Sequence, residues 1–177
     1  FTSPSREASC NYGIGTDGRV ALVVEEKNRS WCSSSNANDQ RAITIECASG
    51  LEEPYTMNSK VYKSLVKLCV DICKRNNKTK LLWFNDKVKA LNYNPKSNEM
   101  VLTVHRWFDN KSCPGNWLYS RLGKLAKTVT KKLQKNKKVK LQGNAGLYKY
   151  GFKDPIGNAS AKLKNLKKGK TVQVIED

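Results

Sequence analysis

The chemistry this chain can support is concentrated between residues 101 and 115, in Val-Leu-Thr-Val-His-Arg-Trp-Phe-Asp-Asn-Lys-Ser-Cys-Pro-Gly. This run holds His105, the sole histidine of the 177 residues, with Cys113 eight positions later and Lys111 two before the cysteine. Imidazole and thiolate are common ligands of Zn²⁺, and an ammonium beside a bound metal can meet a developing oxyanion. Two donors do not complete a zinc site, so the rest of the chain must supply the third or lack it. Glu46 is the further acid of interest, because it sits in a strand-like run where a carboxylate faces either water or a site.

Positioning these groups requires strands and helices at particular places. Residues 10–26 read as two strands around Asp17-Gly18, a strong hairpin signal. Residues 33–40 are small and polar and read as a loop. Residues 41–48 alternate as a strand, with Ile43, Ile45 and Cys47 on one face and Ala42, Thr44, Glu46 and Ala48 on the other. Residues 58–76 form the clearest helix: Val61, Tyr62, Leu65, Leu68, Cys69, Ile72 and Cys73 recur at helical spacing behind an Asn58 N-cap. Residues 81–84 read as a buried strand, 86–98 as a loop and 100–105 as a strand carrying His105. A second helix follows the Cys-Pro-Gly turn, its stripe being Leu118, Leu122, Leu125, Ala126, Val129 and Leu133.

Composition narrows the partners. Of the formal charge of +18, +12 falls in residues 124–177, where 15 lysines stand against 3 acids. Such a tail seeks a polyanion, either nucleic acid or an anionic wall polymer, or else it is a solubilising surface. No nucleic-acid motif accompanies it. No apolar stretch reaches the roughly 18 residues that span a bilayer, and no signal peptide is visible. The six cysteines contain no Cys-x-x-Cys pair; Cys69 and Cys73, four apart on an apolar face, read as buried thiols, and the usage fits synthesis in a reducing compartment.

Together these segments resemble the zinc-dependent N-acetylmuramoyl-L-alanine amidases of the amidase-2, or peptidoglycan-recognition, type, above all the endolysins. The resemblance rests on Ala8-Ser-Cys-Asn-Tyr-Gly-Ile-Gly-Thr-Asp-Gly, on Trp31, on Arg41-Ala-Ile-Thr-Ile-Glu46, and on His105 through Cys113-Pro-Gly, in that order. It implies an α/β fold with a single mixed sheet flanked by helices. It implies Zn²⁺ as cofactor, with His105 and Cys113 as two ligands and a third expected upstream of Phe1. Glu46 corresponds to a general base and Lys111 to the residue that steadies the oxyanion, while Trp31 and Asn11 fall at substrate-groove positions. Trp31 is equally readable as core, and Glu46 as a strand-surface acid.

The implied organisation is an amidase domain over residues 1–133 lacking its N-terminal strand, a lysine-rich linker over 134–140, and part of a bacterial SH3-like wall-binding barrel over 141–177. The implied partners are bacterial peptidoglycan and, through the basic region, anionic wall polymers, with action at the cell wall. A chain short of one zinc ligand is expected to be poorly active. The competing readings are a peptidoglycan-binding module without catalysis and a basic nucleic-acid-binding protein.

Overall fold

A computed structural model describes residue 5 and residues 7–135, 138–140 and 171–173. The chain divides into two compact units, Phe1–Lys131 and Lys132–Asp177.

The first unit begins with the hairpin. Strand β1 (Tyr12–Ile14) pairs antiparallel with β2 (Val20–Leu22), and Gly18 takes the left-handed φ of 84° that the turn demands. A Cβ at Gly18 would lie 3.0 Å from the Ser64 hydroxyl, so the turn also packs too closely for a side chain. Strand β3 (Ile45–Cys47) adds to β1 in parallel, opposing Tyr12 to Ile45 and Ile14 to Cys47. Between β2 and β3 lies a short helix, α1 (Asn36–Asp39), begun by Ser35, whose side chain accepts from the Asn38 N–H. The sequence reads as a loop there because four residues are too few to show a helical period.

Helix α2 (Ser59–Arg75) is where the apolar stripe places it, with the Asn58 side chain accepting from the N–H groups of Lys60 and Val61. Val61, Leu65, Leu68, Cys69, Ile72 and Cys73 are all buried. Full burial of a Leu or Ile side chain stabilises a fold by roughly 1.5–3 kcal/mol, so this face anchors the unit. Two polar ties fix the helix to the hairpin: Ser64 Oγ donates to the Gly18 carbonyl at 2.6 Å, and Asn58 Nδ2 to that of Thr16 at 2.8 Å.

Strands β4 (Lys80–Leu82) and β5 (Glu99–Val101) pair in parallel and form a second sheet of their own. Between them runs α3 (Lys87–Asn92), capped by Asp86, whose carboxylate accepts from the Lys89 N–H at 2.9 Å. This corrects the loop expected over 86–98; Ala90 is the one fully buried residue of α3, which leaves no stripe to read. The strand expected to reach His105 stops at Val101, and His105–Trp107 form a 3₁₀ turn instead. The ladder ends because β4 does: Trp83 leaves it to stack on Trp107, with ring centroids 5.0 Å apart and planes 6° from parallel. After the Cys-Pro-Gly turn the expected helix comes in two pieces, α4 (Gly115–Tyr119) and α5 (Leu122–Lys135), with every residue of the predicted stripe buried.

The mixed α/β character agrees with expectation, but the first unit holds two sheets where a single one was expected. Hydrogen bonds from Tyr12 N to Thr44 O and from Ala48 N to Ile14 O turn alternate groups of β3 toward β1. The backbone groups of Ile45 and Cys47 therefore point the other way. By the same alternation β5 turns Met100 and Leu102 toward β4, and Val101 away from it. Both open edges line one groove of about 1200 Å³, floored by Cys69, Ile72 and Cys73 of α2. The far edge of β4 is closed differently, since the Thr130 hydroxyl of α5 both accepts from Leu81 N at 3.0 Å and donates to Leu81 O at 3.2 Å.

In the second unit, β6 (Lys138–Lys140) pairs antiparallel with β7 (Thr171–Gln173). The rest of the expected SH3-like barrel over 141–177 lies outside the described residues. Among the described residues no helix is long and apolar enough to cross a membrane.

Replacing Thr130 with isosteric valine keeps the volume and orphans both polar groups of Leu81. The expected loss is about 1–3 kcal/mol of unfolding free energy in a urea titration, with an unchanged value refuting the edge-capping role.

Candidate active site

Glu46 is in the middle of β3, half-buried, on the face opposite Ile45 and Cys47. What holds it there is a buried polar cluster beneath. Asn11 and Ser30 are fully buried and Thr44 nearly so. Asn11 Oδ1 accepts from Thr44 N at 2.9 Å and from Thr44 Oγ1 at 3.1 Å, while Asn11 N donates to Thr44 Oγ1 at 2.9 Å. The Ser30 hydroxyl lies 2.7 Å from the same Thr44 oxygen. Asn11 Nδ2 donates to the carbonyls of Val24, Glu25 and Asn28 at 3.2, 3.3 and 3.4 Å. With every side-chain polar atom bonded internally and no surface exposed, Asn11 has nothing left for a substrate. Its expected substrate contact is thus corrected: the residue ties β1, β3 and the 24–30 segment together.

That tie sets the groups around Glu46. Ser9 and Trp31 exchange hydrogen bonds, Ser9 N to Trp31 O and Trp31 N to Ser9 Oγ, both at 2.9 Å. Trp31 stands 56% exposed with the Arg29 guanidinium 5.2 Å from its ring centre, which excludes the core reading of this residue. The next residue turns inward, and the Cys32 thiol donates to Glu46 Oε1 at 3.5 Å. Burial and then the Glu46 carboxylate push the thiols of Cys32 and Cys10 above the ordinary value, so both stay protonated at neutral pH. Neither was singled out as a site residue from the sequence; the only signal was the position of Cys32 beside Trp31.

The 105–113 loop reaches this place from the second sheet. Arg106 closes it: its backbone N–H and Nε both donate to the Cys113 carbonyl, at 3.1 and 3.3 Å, and its Nη2 donates to the Ser112 carbonyl. Arg106 Nη1 also donates to Asn116 Oδ1 at 3.0 Å, and the guanidinium stacks 4.7 Å over Tyr119. From the other side Gly115, at φ 77°, seats the loop on the turn before α2; a Cβ there would lie 2.7 Å from Tyr55 Cβ. Trp117 N donates to the Pro54 carbonyl of the same turn at 2.9 Å.

Cys113 is exposed and free. Partial desolvation and then the Glu46 carboxylate hold its thiol above the ordinary value, and Lys111 and Arg106 oppose that rise. Cys113 therefore sits within electrostatic reach of both Glu46 and Lys111. His105, half-buried, has its Nε2 3.0 Å from Ser34 Oγ, which also donates to Asp109 Oδ2 at 3.1 Å. Lys111 Nζ stands 3.9 Å from that same Asp109 oxygen. The Asn110 N–H, then Ser34 and the neighbouring positive groups hold the Asp109 carboxyl below the usual range. By contrast the thiols of Cys47 and Cys69, each pushed up to about 12 by burial, are inert on the opposite face.

His105 and Cys113 supply two donors of the kinds zinc takes. Among the described residues no group of three His, Cys, Asp or Glu side chains forms a ligand set, so a complete zinc site is not assembled from them. A family model described as N-acetylmuramoyl-L-alanine amidase matches residues 1–116. No curated protein and no solved structure matches the chain.

Thiol alkylation tests the proximity of Glu46 and Cys113 directly. Only thiolate reacts, so iodoacetamide should modify Cys113 ahead of the five other cysteines, half-maximally above the ordinary value of 9.0. Glu46→Gln removes the repelling charge and should raise the rate at pH 8.5. An unchanged rate would mean that the two groups do not feel each other.

Proposed function

The chain belongs to the N-acetylmuramoyl-L-alanine amidase family, a family of hydrolases acting on the peptidoglycan of the cell wall, and from that premise we propose how its own residues serve the reaction. The bond cleaved joins the lactyl group of N-acetylmuramic acid to the amino group of L-alanine. Water attacks the carbonyl carbon, the C–N bond breaks, and the amine leaves as the N-terminus of the stem peptide. The observation that carries this reading is that Cys113 feels the charges of both Glu46 and Lys111, with His105 in the same loop that Arg106 closes.

In this reading Glu46 accepts the proton of the attacking water and passes it to the departing amine. Lys111, already drawn toward Asp109, faces the charge that grows on the carbonyl oxygen. Trp31, exposed beside Cys32, offers an aromatic face to the glycan or the stem peptide. Asn11 acts from beneath as a positioning residue.

Zinc is the cofactor of the proposal. His105 and Cys113 would be two of its ligands, with a third donor from outside the described residues. Such an ion lowers the pKa of a bound water to about 7. The open edges of β3 and β5 on either side of one groove support the view that a further strand seats there, joining the two sheets. That strand is also the natural carrier of the third donor. The basic C-terminal region, through its proposed SH3-like part, would hold anionic wall polymers and raise the effective concentration of the site at its substrate. An endolysin-type role in wall lysis follows from these parts.

Release of amino groups from purified peptidoglycan in the presence of zinc tests the reading. Lys111→Ala should lower the rate by about 10²–10³-fold. Glu46→Gln should lower it by about 10²–10⁴-fold. A chain that pellets with walls but releases no amine, with or without zinc, would be a binding module and would overturn the catalytic assignment.

A further inference from the structure

Ser34 is an exposed serine in the left-handed backbone region, at φ 59°, which a residue other than glycine adopts only when its surroundings impose it. Asp39 braces the two residues before Ser34, its carboxylate accepting from the N–H groups of Cys32 and Ser33 and from the Ser33 hydroxyl. The bend turns the Ser34 hydroxyl toward a loop 71 residues away, between His105 Nε2 at 3.0 Å and Asp109 Oδ2 at 3.1 Å. We propose that Ser34 and Asp109 are positioning residues that fix the tautomer of His105, keeping the proton on Nε2 and leaving Nδ1 bare.

The proton count at Ser34 decides the tautomer. A serine hydroxyl carries one proton and two lone pairs, and an ionised carboxylate can only accept. Asp109 Oδ1 already accepts from the Asn110 N–H at 2.7 Å. Its Oδ2, facing Ser34, needs the serine proton between them; otherwise two oxygen lone pairs would oppose each other at 3.1 Å. With that proton committed, Ser34 offers His105 only lone pairs, so Nε2 must bring an N–H to the 3.0 Å contact. A neutral imidazole has a single N–H, and Nδ1 is therefore the nitrogen with a free lone pair. Among the described residues Nδ1 makes no hydrogen bond.

A bare ring nitrogen is what a divalent ion or an incoming proton requires, and its other nitrogen is commonly steadied by a partner of this type. That use of Nδ1 rests on the amidase reading. The tautomer does not, since it follows from the contacts alone.

The chain contains one histidine, so a single long-range ¹H–¹⁵N spectrum of the metal-free protein reports this ring without overlap. At pH 8 the expected pattern is a single ring N–H, carried on Nε2. Asp109→Asn supplies the decisive comparison. The Asn110 N–H keeps Oδ1 as an acceptor, so the new amide presents its NH₂ to Ser34 and the serine proton turns to Nε2. The histidine proton should then move to Nδ1, changing the tautomer ratio by about tenfold or more. Ser34→Ala removes the partner altogether and should give a ratio between these two. Ser34 and Asp109 are both exposed, so neither substitution threatens the core, and backbone amide spectra verify the fold. A wild-type ring protonated on Nδ1, or an Asp109→Asn ring unchanged from wild type, would overturn the proposal. If the proton moves while wall hydrolysis continues undiminished, the relay stands and the amidase use of Nδ1 falls.

Discussion

The site depends on one buried amide. Asn11 lies with no exposed surface at the start of β1, and its side chain bonds Thr44 on one side and three carbonyls of the 24–28 segment on the other. A buried amide left unbonded costs the full desolvation of its groups, so this arrangement admits few alternatives. It sets the register of β3 on β1, and register decides which face each residue of a strand takes. Glu46 faces Cys10, Cys32 and Cys113 because Ile45 and Cys47 face the α2 side. A slip of one residue would exchange the two sets and bury the carboxylate against Cys69 and Ile72.

The other half of the site is held by a separate device. Arg106 gathers the 105–113 loop onto itself through its backbone and its guanidinium, and Gly115 lets that loop approach the Pro54–Tyr55 turn closer than any side chain would allow. Ser34 bridges the two halves, reaching from the segment beside Asp39 to His105, and the Thr103 hydroxyl donates to Asn38 Oδ1 nearby. The site thus forms where two independently braced pieces meet, on either side of the groove between the two sheets. The imidazole meets a serine in the left-handed backbone region, directly after the Cys32–Ser33 pair that Asp39 braces.

Much of this was legible in the chain itself. The α2 stripe, the Asp17-Gly18 hairpin and the alternation about Glu46 are local periodicities, and each has its counterpart in the structure. The spacing from His105 through Lys111 to Cys113 is visible in the chain, and its proposed roles come from the family pattern. Asn11 misled because a polar residue in a strand looks the same whether it meets a ligand or a buried backbone; its partners lie up to 33 residues away. Ser34 and Arg106 carried no signal, since their roles come from hydrogen bonds that close only in three dimensions. Helices α1 and α3 are too short for a period, and the division into two sheets reflects edge pairing, which no single strand encodes.

The central claim is that these residues direct water to the amide between N-acetylmuramic acid and L-alanine. Digestion of a defined muropeptide in H₂¹⁸O, followed by mass spectrometry, reads this out in one step. The account predicts a glycan whose lactyl carboxylate has gained one ¹⁸O and an unlabelled stem peptide beginning with free L-alanine. Label at a sugar reducing end, or within the stem peptide, would contradict it.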